Sequence, residues 1–274
     1  MRFFLRKLFP ALVLSGLATA LYARYIEPRL LRLTHVNIQL PRRHAHLNGL
    51  TVAFVTDTHV CPTYSATNLE PVAEVLERTQ PDLVLFGGDY VSESPRFIAQ
   101  AMPPLARMAK TGKLGAFAVL GNHDLAVGRE RMVEPMEAAG IRVLTNEAAS
   151  VPFGGGECWI TGIDEVLLGK PDPARAFSDV PADAATILLW HEPDLAEQAA
   201  PFAPIVQLSG HTHGGQVRLP GIGPLALPKM GKRFPAGRFD IDDMVLLVSR
   251  GIGNYRPPVR LNCPPEVMII HFVA

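Results

Sequence analysis

Two imidazoles alternate between glycines in Gly210-His211-Thr212-His213-Gly214-Gly215-Gln216, directly after the apolar run Ile205 to Leu208. Residues two apart share a face of an extended segment, so this short piece can present both rings to one centre. The flanking glycines leave room for something close to the backbone. The pattern recurs upstream: Asp57 with His59, Asp89, Asn122 with His123, and His191 each follow an apolar, strand-like run within a few residues. Imidazoles and carboxylates without thiolates suit Mn, Fe or Zn, whereas calcium takes oxygen ligands alone. The set is larger than one ion needs.

The runs that carry these residues read as buried strands. Leu50 to Thr56 is short and β-branched, and Leu83 to Phe86, Ala116 to Leu120 and Thr186 to Trp190 are apolar throughout. Between them, Val72, Val75 and Leu76 recur at helical spacing behind Asn68, and Pro81 closes that helix. Phe97 to Lys110 reads as a helix that Pro103-Pro104 must break or restart. Arg129 to Ala139 is a helix capped by Gly140, and Leu195 to Ala200 a short one. Ile141 to Leu144, Cys158 to Ile163, Met244 to Ser249 and Val267 to Val273 complete the strands, and Leu219 to Gly237 reads as a loop. Strand and helix alternate, which supports an α/β fold. In parallel α/β sheets the strand ends on one side form the site, so groups far apart in sequence would converge there.

The blocks Asp57-Thr58-His59, Gly88-Asp89, Gly121-Asn122-His123-Asp124, His191 and Gly210-His211-Thr212-His213 occur in the order found in calcineurin-like metallophosphoesterases. The chain resembles that family over roughly residues 48 to 274. Trp190-His191-Glu192-Pro193-Asp194 and the segment from Ser249-Arg250-Gly251 to Pro264-Pro265-Glu266 resemble its membrane-associated bacterial YkuE/YaeI branch. The resemblance implies a four-layer α/β/β/α sandwich with two facing mixed sheets. It also implies two divalent metal ions, Mn²⁺ first, with Fe or Zn as alternatives. Asp57, His59 and His213 would hold one ion, Asn122, His191 and His211 the other, and Asp89 would bridge them. His123 would be the acid outside the ligand set, oriented by Asp124. One departure is Tyr90-Val91 after Asp89, where many relatives place a further acidic residue.

Such a set suits phosphorus chemistry. A water between two divalent ions about 3.5–4 Å apart loses a proton near neutral pH, and both ions offset charge on the phosphoryl oxygens. A carboxylate can bridge because it has two oxygens. A free His123 can protonate the leaving oxygen, and a neutral Asn122 limits negative charge so that a phosphate can approach. Arg250, Arg256 and Arg260 could grip that phosphate, or could equally be structural or solvated cations; Arg250 and Arg256 are taken as substrate contacts.

Composition narrows the partners. Lys+Arg and Asp+Glu both number 26, so net charge is +0 and no nucleic-acid partner is expected. The three cysteines, at 61, 158 and 263, are too scattered for a disulfide framework or a thiolate site. Arg2, Arg6 and Lys7 precede an apolar run from Leu8 to Ala23, so residues 1–24 read as a signal anchor or transmembrane segment and 25–47 as a connecting segment. Ala18-Thr19-Ala20 resembles a cleavage site, but Leu21 and Tyr22 continue the run and favour an uncleaved anchor. Arg24, Arg29, Arg32, Arg42 and Arg43 follow it, which places the domain on the cytoplasmic side of a bacterial inner membrane.

The expected protein is therefore a monomeric, membrane-attached, metal-dependent hydrolase of phosphate esters or diphosphates. The apolar loop Leu219 to Pro228, followed by Lys229, Lys232 and Arg233, suits acyl chains below anionic headgroups. That points to a lipid-linked substrate such as UDP-2,3-diacylglucosamine of lipid A biosynthesis. The alternatives are a general anchored or exported phosphodiesterase or phosphatase whose loop packs on its own domain, and a non-catalytic binding protein on the same fold.

Overall fold

The computed structural model describes residues 2–274, with side chains described for residue 10 and from residue 12 onward. In order, α1 (Arg2–Leu21) precedes β1 (Arg32–Gln39) and β2 (Thr51–Val55), followed by α2 (Glu70–Thr79), β3 (Leu83–Phe86), α3 (Ile98–Ala109) and β4 (Ala116–Ala118). Next come α4 (Asn122–Val127), α5 (Arg129–Ala138), β5 (Ile141–Val143), β6 (Glu147–Phe153), β7 (Gly156–Gly162), α6 (Pro173–Ala176) and β8 (Ala185–Leu189). The chain closes with α7 (Ala196–Ala199), β9 (Val206–Ser209), β10 (Arg218–Leu219), β11 (Gly223–Pro224), β12 (Gly237–Ile241), β13 (Met244–Val248) and β14 (Glu266–Val273).

Two six-stranded sheets result, ordered β1-β14-β2-β3-β4-β5 and β12-β13-β9-β8-β7-β6. Both are mixed: β14 runs antiparallel to β2 in the first, and β12 and β6 are antiparallel edges of the second. Alternation along the strands shows how they stack. Val52 and Phe54 of β2 meet Ile187 and Leu189 of β8 in one core between the sheets, whereas Ala53 and Val55 face Leu76, Leu105 and Met136 of the helices. On the far side Leu188 and Trp190 pack with Ala176 and Ala199. The layers are thus helix, sheet, sheet and a thin outer cover of α6 and α7, four residues each.

Three expectations change. Residues 25–47 are more than a connection: β1 pairs in parallel with β14, and Ile38 and Val36 join the core between the sheets. Its outward side chains, among them His35, Asn37 and Gln39, disguise the strand because it lies on an edge. The helix α3 runs unbroken through Pro103 and Pro104, because Ile98, Ala101, Leu105 and Met108 bury one face against the sheet; that burial outweighs the lost backbone bonds. Within the expected loop Leu219 to Gly237, β10 and β11 form a small hairpin.

At the start of the chain, α1 projects Leu12, Leu14 and Leu17 into solvent, each more than half exposed. The cationic flank Arg2, Arg6 and Lys7 of the expected anchor lies outside the described side chains. Among the described residues, no helix is long and apolar enough to cross a membrane.

Candidate metal centre

All seven expected ligands lie just past the C-terminal ends of parallel strands: Asp57 and His59 after β2, Asp89 after β3, Asn122 after β4, His191 after β8, and His211 and His213 after β9. To leave a strand and aim inward, the chain must turn sharply. Asp57, His59, Asp89, His211 and His213 all adopt positive φ, between 45° and 67°. A side chain in that left-handed region costs about 1–3 kcal/mol, and such positions cluster at functional sites.

The turns bring the side chains into overlapping groups. Asp57, His59 and His213 form one, Asp89, His191 and His211 another, and His59, Asp89 and His123 a third that shares a residue with each, with coordinating atoms in each group within 4.8 Å of one another. His211 and His213 therefore serve different groups. Asp89 lies between them: its Oδ2 is 3.4 Å from His59 Nε2 and 3.3 Å from His191 Nε2. His213 Nε2 is 3.4 Å from Asp57 Oδ1 and 2.8 Å from His59 Nε2. Burial alone would raise the Asp89 pKa, but the neighbouring imidazoles, His191 first and then His59 and His123, hold it well below the carboxylate range. Burial pushes His213 and His211 below the usual imidazole value.

Backbone carbonyls fix two of the tautomers. His191 Nδ1–H donates to Gly87 O at 2.6 Å and His211 Nε2–H donates to Lys229 O at 2.7 Å. Each ring therefore turns a lone pair toward the centre, the usual way a protein orients a metal-binding histidine. His59 bonds the Ser92 hydroxyl through Nδ1. Asn122 Oδ1 and His191 Nε2 are buried without a hydrogen-bond partner. Unpartnered inward atoms of this kind, among two carboxylates and four imidazoles, fit a pair of divalent ions.

The two sheets touch through these residues. Asp57 accepts the His211 N–H at 3.0 Å and the Thr56 hydroxyl at 2.8 Å. A Cβ on Gly210 would overlap that carboxylate, and one on Gly88 would lie 2.6 Å from His191 Nδ1. Glycine is required at both because the sheets approach here.

His123 stands at the edge of the cluster. Its N–H donates to Asp89 Oδ1 at 2.8 Å, and its ring is edge-on to Tyr255 at 4.4 Å and to His59 at 4.9 Å. Asp124 is engaged elsewhere than expected. Its carboxylate accepts the backbone N–H groups of Asp89 (2.7 Å), Tyr90 (2.9 Å) and Gly121 (3.0 Å). As the third residue of α4 it is drawn back to the helix start, so it shapes the Asp89 turn; among the described residues no hydrogen bond joins it to the His123 ring. Burial, then the Asp89 charge, pushes its pKa up to about 7 against the pull of those donors.

A cleft of about 380 Å³ opens over Asp89, Asn122, His123, His211 and His213. Its walls are largely apolar, with Leu167 from the loop after β7 and Leu227 and Pro228 from the segment after the hairpin. Of the expected phosphate contacts, Arg256 reaches the rim, 71% exposed and paired with Glu93 at 3.0 Å. Arg250 does not line the cleft: it pairs with Glu266 at 2.6 Å and its stem packs behind Gly214. Arg260 is fully buried and gives its guanidinium to the carbonyls of Arg250, Gly251, Gly253 and Cys263. Tyr255 is the residue that sequence reasoning passed over. Gln216 holds its backbone on both sides, accepting from Tyr255 N at 2.8 Å and donating to Tyr255 O at 3.0 Å. An aromatic residue beside three arginines was the only signal available.

The chain is also similar to known proteins. The calcineurin-like phosphoesterase family model matches residues 50–215. The metallophosphoesterase YkuE of Bacillus subtilis is 31% identical across 98% of this chain and 96% of its own. The phosphodiesterase YaeI of Escherichia coli is 31% identical, covering 92% of each. The UDP-2,3-diacylglucosamine pyrophosphatase LpxG of Chlamydia trachomatis is 24% identical, also over 92% of each. A solved structure of a candidate 5′-nucleotidase from Staphylococcus aureus superposes with a TM-score of 0.50 at 12% identity, covering 83% of this chain and 55% of the other, and speaks for the fold alone. Matched along nearly its whole length, the chain belongs to the calcineurin-like phosphoesterase family of metal-dependent hydrolases.

Proposed function

We propose that the chain hydrolyses a phosphodiester or diphosphate with two divalent ions. In this reading Asp57, His59 and His213 hold one ion, Asn122, His191 and His211 hold the other, and Asp89 is shared. The observation that carries it is the single Asp89 oxygen placed at nearly equal distances, 3.4 and 3.3 Å, from a histidine of each group. When bound, such ions supply a nucleophile at neutral pH and offset charge on the phosphoryl oxygens. The chain's own residues do the rest. His123, held by its backbone to Asp89 and by its ring against Tyr255 at the edge of the cluster, is the residue proposed to protonate the leaving oxygen. Leu167 and Leu227 exclude water from the walls, and Arg256 can swing from Glu93 to meet a phosphate at the rim.

The substrate proposed is lipid-linked, with UDP-2,3-diacylglucosamine as the specific candidate. Apolar cleft walls and the likeness to LpxG support it. Mn²⁺ is the proposed metal, and α1 is proposed to attach the chain to the bacterial inner membrane with the domain on the cytoplasmic side. Purified full-length chain, stripped of metal and resupplied with Mn²⁺, is expected to cleave that nucleotide lipid faster than bis-p-nitrophenyl phosphate. Faster turnover of the soluble diester would favour a general phosphodiesterase, the reading that the likeness to YaeI supports. No turnover of either, with metal bound, would overturn the proposal in favour of a binding protein.

A further inference from the structure

We infer that the β10–β11 hairpin is a second membrane-inserting element, seated in the same lipid leaflet as α1, so that the catalytic cleft opens directly on the bilayer surface. This membrane contact does not depend on which phosphate ester is cleaved. The hairpin turn carries Ile222, 72% exposed, and Leu225, 57% exposed, follows at the hairpin base beside Val217. No charged residue occurs from Leu219 to Pro228, while Arg218 stands at one foot and Lys229 at the other. Lys229 and Lys232 are exposed and join no ion pair among the described residues. An aliphatic turn at Ile222, with a second exposed aliphatic residue and cations at its base, suits an anionic bilayer, acyl chains at the turn and headgroups around the base.

Position carries the inference further. Residues 260–263 hold the bases of both apolar projections. Arg260 N donates to Ala23 O at 2.9 Å and Cys263 N donates to the Glu27 carboxylate, fixing the end of the N-terminal helical segment. Arg218 N donates to Leu261 O at 2.9 Å and Asn262 Nδ2 donates to Arg218 O at 3.0 Å, fixing the hairpin. With about 3.8 Å between successive Cα atoms, the two bases stand within roughly 12 Å of each other. The hairpin is also rigid against the site: a Cβ on Gly215 would overlap Pro224.

The shape selects the occupant. The exposed apolar residues lie on two separate elements, α1 and the hairpin, and not on one continuous face, an arrangement that a fluid apolar phase can meet at once. The arm leaving the hairpin, Ala226 to Pro228, lines the cleft, so a diphosphate held at headgroup depth would face the metal residues without leaving the leaflet.

The full-length chain can be tested directly. Cys61, Cys158 and Cys263 are all buried, so a cysteine introduced as Ile222→Cys can be labelled selectively with an environment-sensitive dye. Glu157→Cys, exposed near the opposite edge of the second sheet, is the reference. With phosphatidylglycerol vesicles, the dye at 222 is expected to shift to the blue and to be quenched by nitroxide-bearing lipid, and the dye at 157 to do neither. A dye at 222 that keeps its aqueous emission on vesicle-bound chain overturns the inference, as does a blue shift that needs no vesicles and grows with protein concentration. The double variant Ile222→Ser/Leu225→Ser is expected to bind vesicles about tenfold more weakly with unchanged turnover of bis-p-nitrophenyl phosphate. Unchanged vesicle binding, or an equal fall in soluble turnover, overturns it as well. Vesicle binding is read without substrate, so failure here and failure of the proposed activity are distinguishable.

Discussion

The first sheet brings Asp57, His59, Asp89 and Asn122 to the site, while the second brings imidazoles alone, His191, His211 and His213. Their supports differ in the same way. The first is backed by α2, α3 and α5, each 10 to 12 residues long, and the second by two four-residue helices and loops. On the side with the thick cover the Asp89 turn is fixed by its backbone, the N–H groups of Asp89 and Tyr90 donating to the Asp124 carboxylate. The thinly covered side fixes its rings by lending their second nitrogen to carbonyls, Gly87 O and Lys229 O. Both carboxylates of the cluster come from the sheet with the deeper scaffold, and the shallower half contributes imidazoles alone.

Removing the shared group should break that division most severely. Asp89→Ala is expected to abolish hydrolysis and deplete both metal positions, read by metal analysis beside Mn²⁺-dependent turnover. His211→Ala, on the second sheet, should instead leave about half the metal. His123→Ala is expected to keep its metal and lose about 10²–10⁴-fold in rate; metal depletion in that variant would place His123 inside the ligand set. Next in size are two variants that disturb support on either side. Asp124→Asn removes an acceptor from the Asp89 turn and Gly210→Ala drives a methyl into the Asp57 carboxylate, and each should weaken Mn²⁺ binding about 10–100-fold by titration. Equal effects would mean that both halves are held equally stiffly. Arg256→Ala should be mildest, raising KM a few-fold with little change in kcat, because the side chain is largely exposed and already paired.

Much of this was legible in the residues. Ligand and strand arrive together in sequence, so a run such as Leu83 to Phe86, all four residues buried, announced both the strand and Asp89 behind it. Edge elements were harder. In β1 only alternate residues face the core, and β12 carries Arg238 and Asp240 on its outer side, so neither shows a continuous apolar run. The course of α3 through two prolines depended on tertiary burial that local propensity does not contain. Arginine roles were least legible: Arg250, Arg256 and Arg260 look alike in sequence, yet one pairs with Glu266, one stands at the rim and one is buried among carbonyls. What separates them is the path of a loop, and composition carries no record of that path.

His59 and His213 face each other across the sheet junction at 2.8 Å although 154 positions separate them in the chain. An ion held by both would act as a reversible cross-link closing a loop of that length. Its effect would fall chiefly on the unfolded chain, whose freedom shrinks with the logarithm of the loop it must close. Divalent ions would then add to the apolar core between the sheets in holding the two halves together, so that the metal-loaded protein would unfold at a higher temperature than the stripped one.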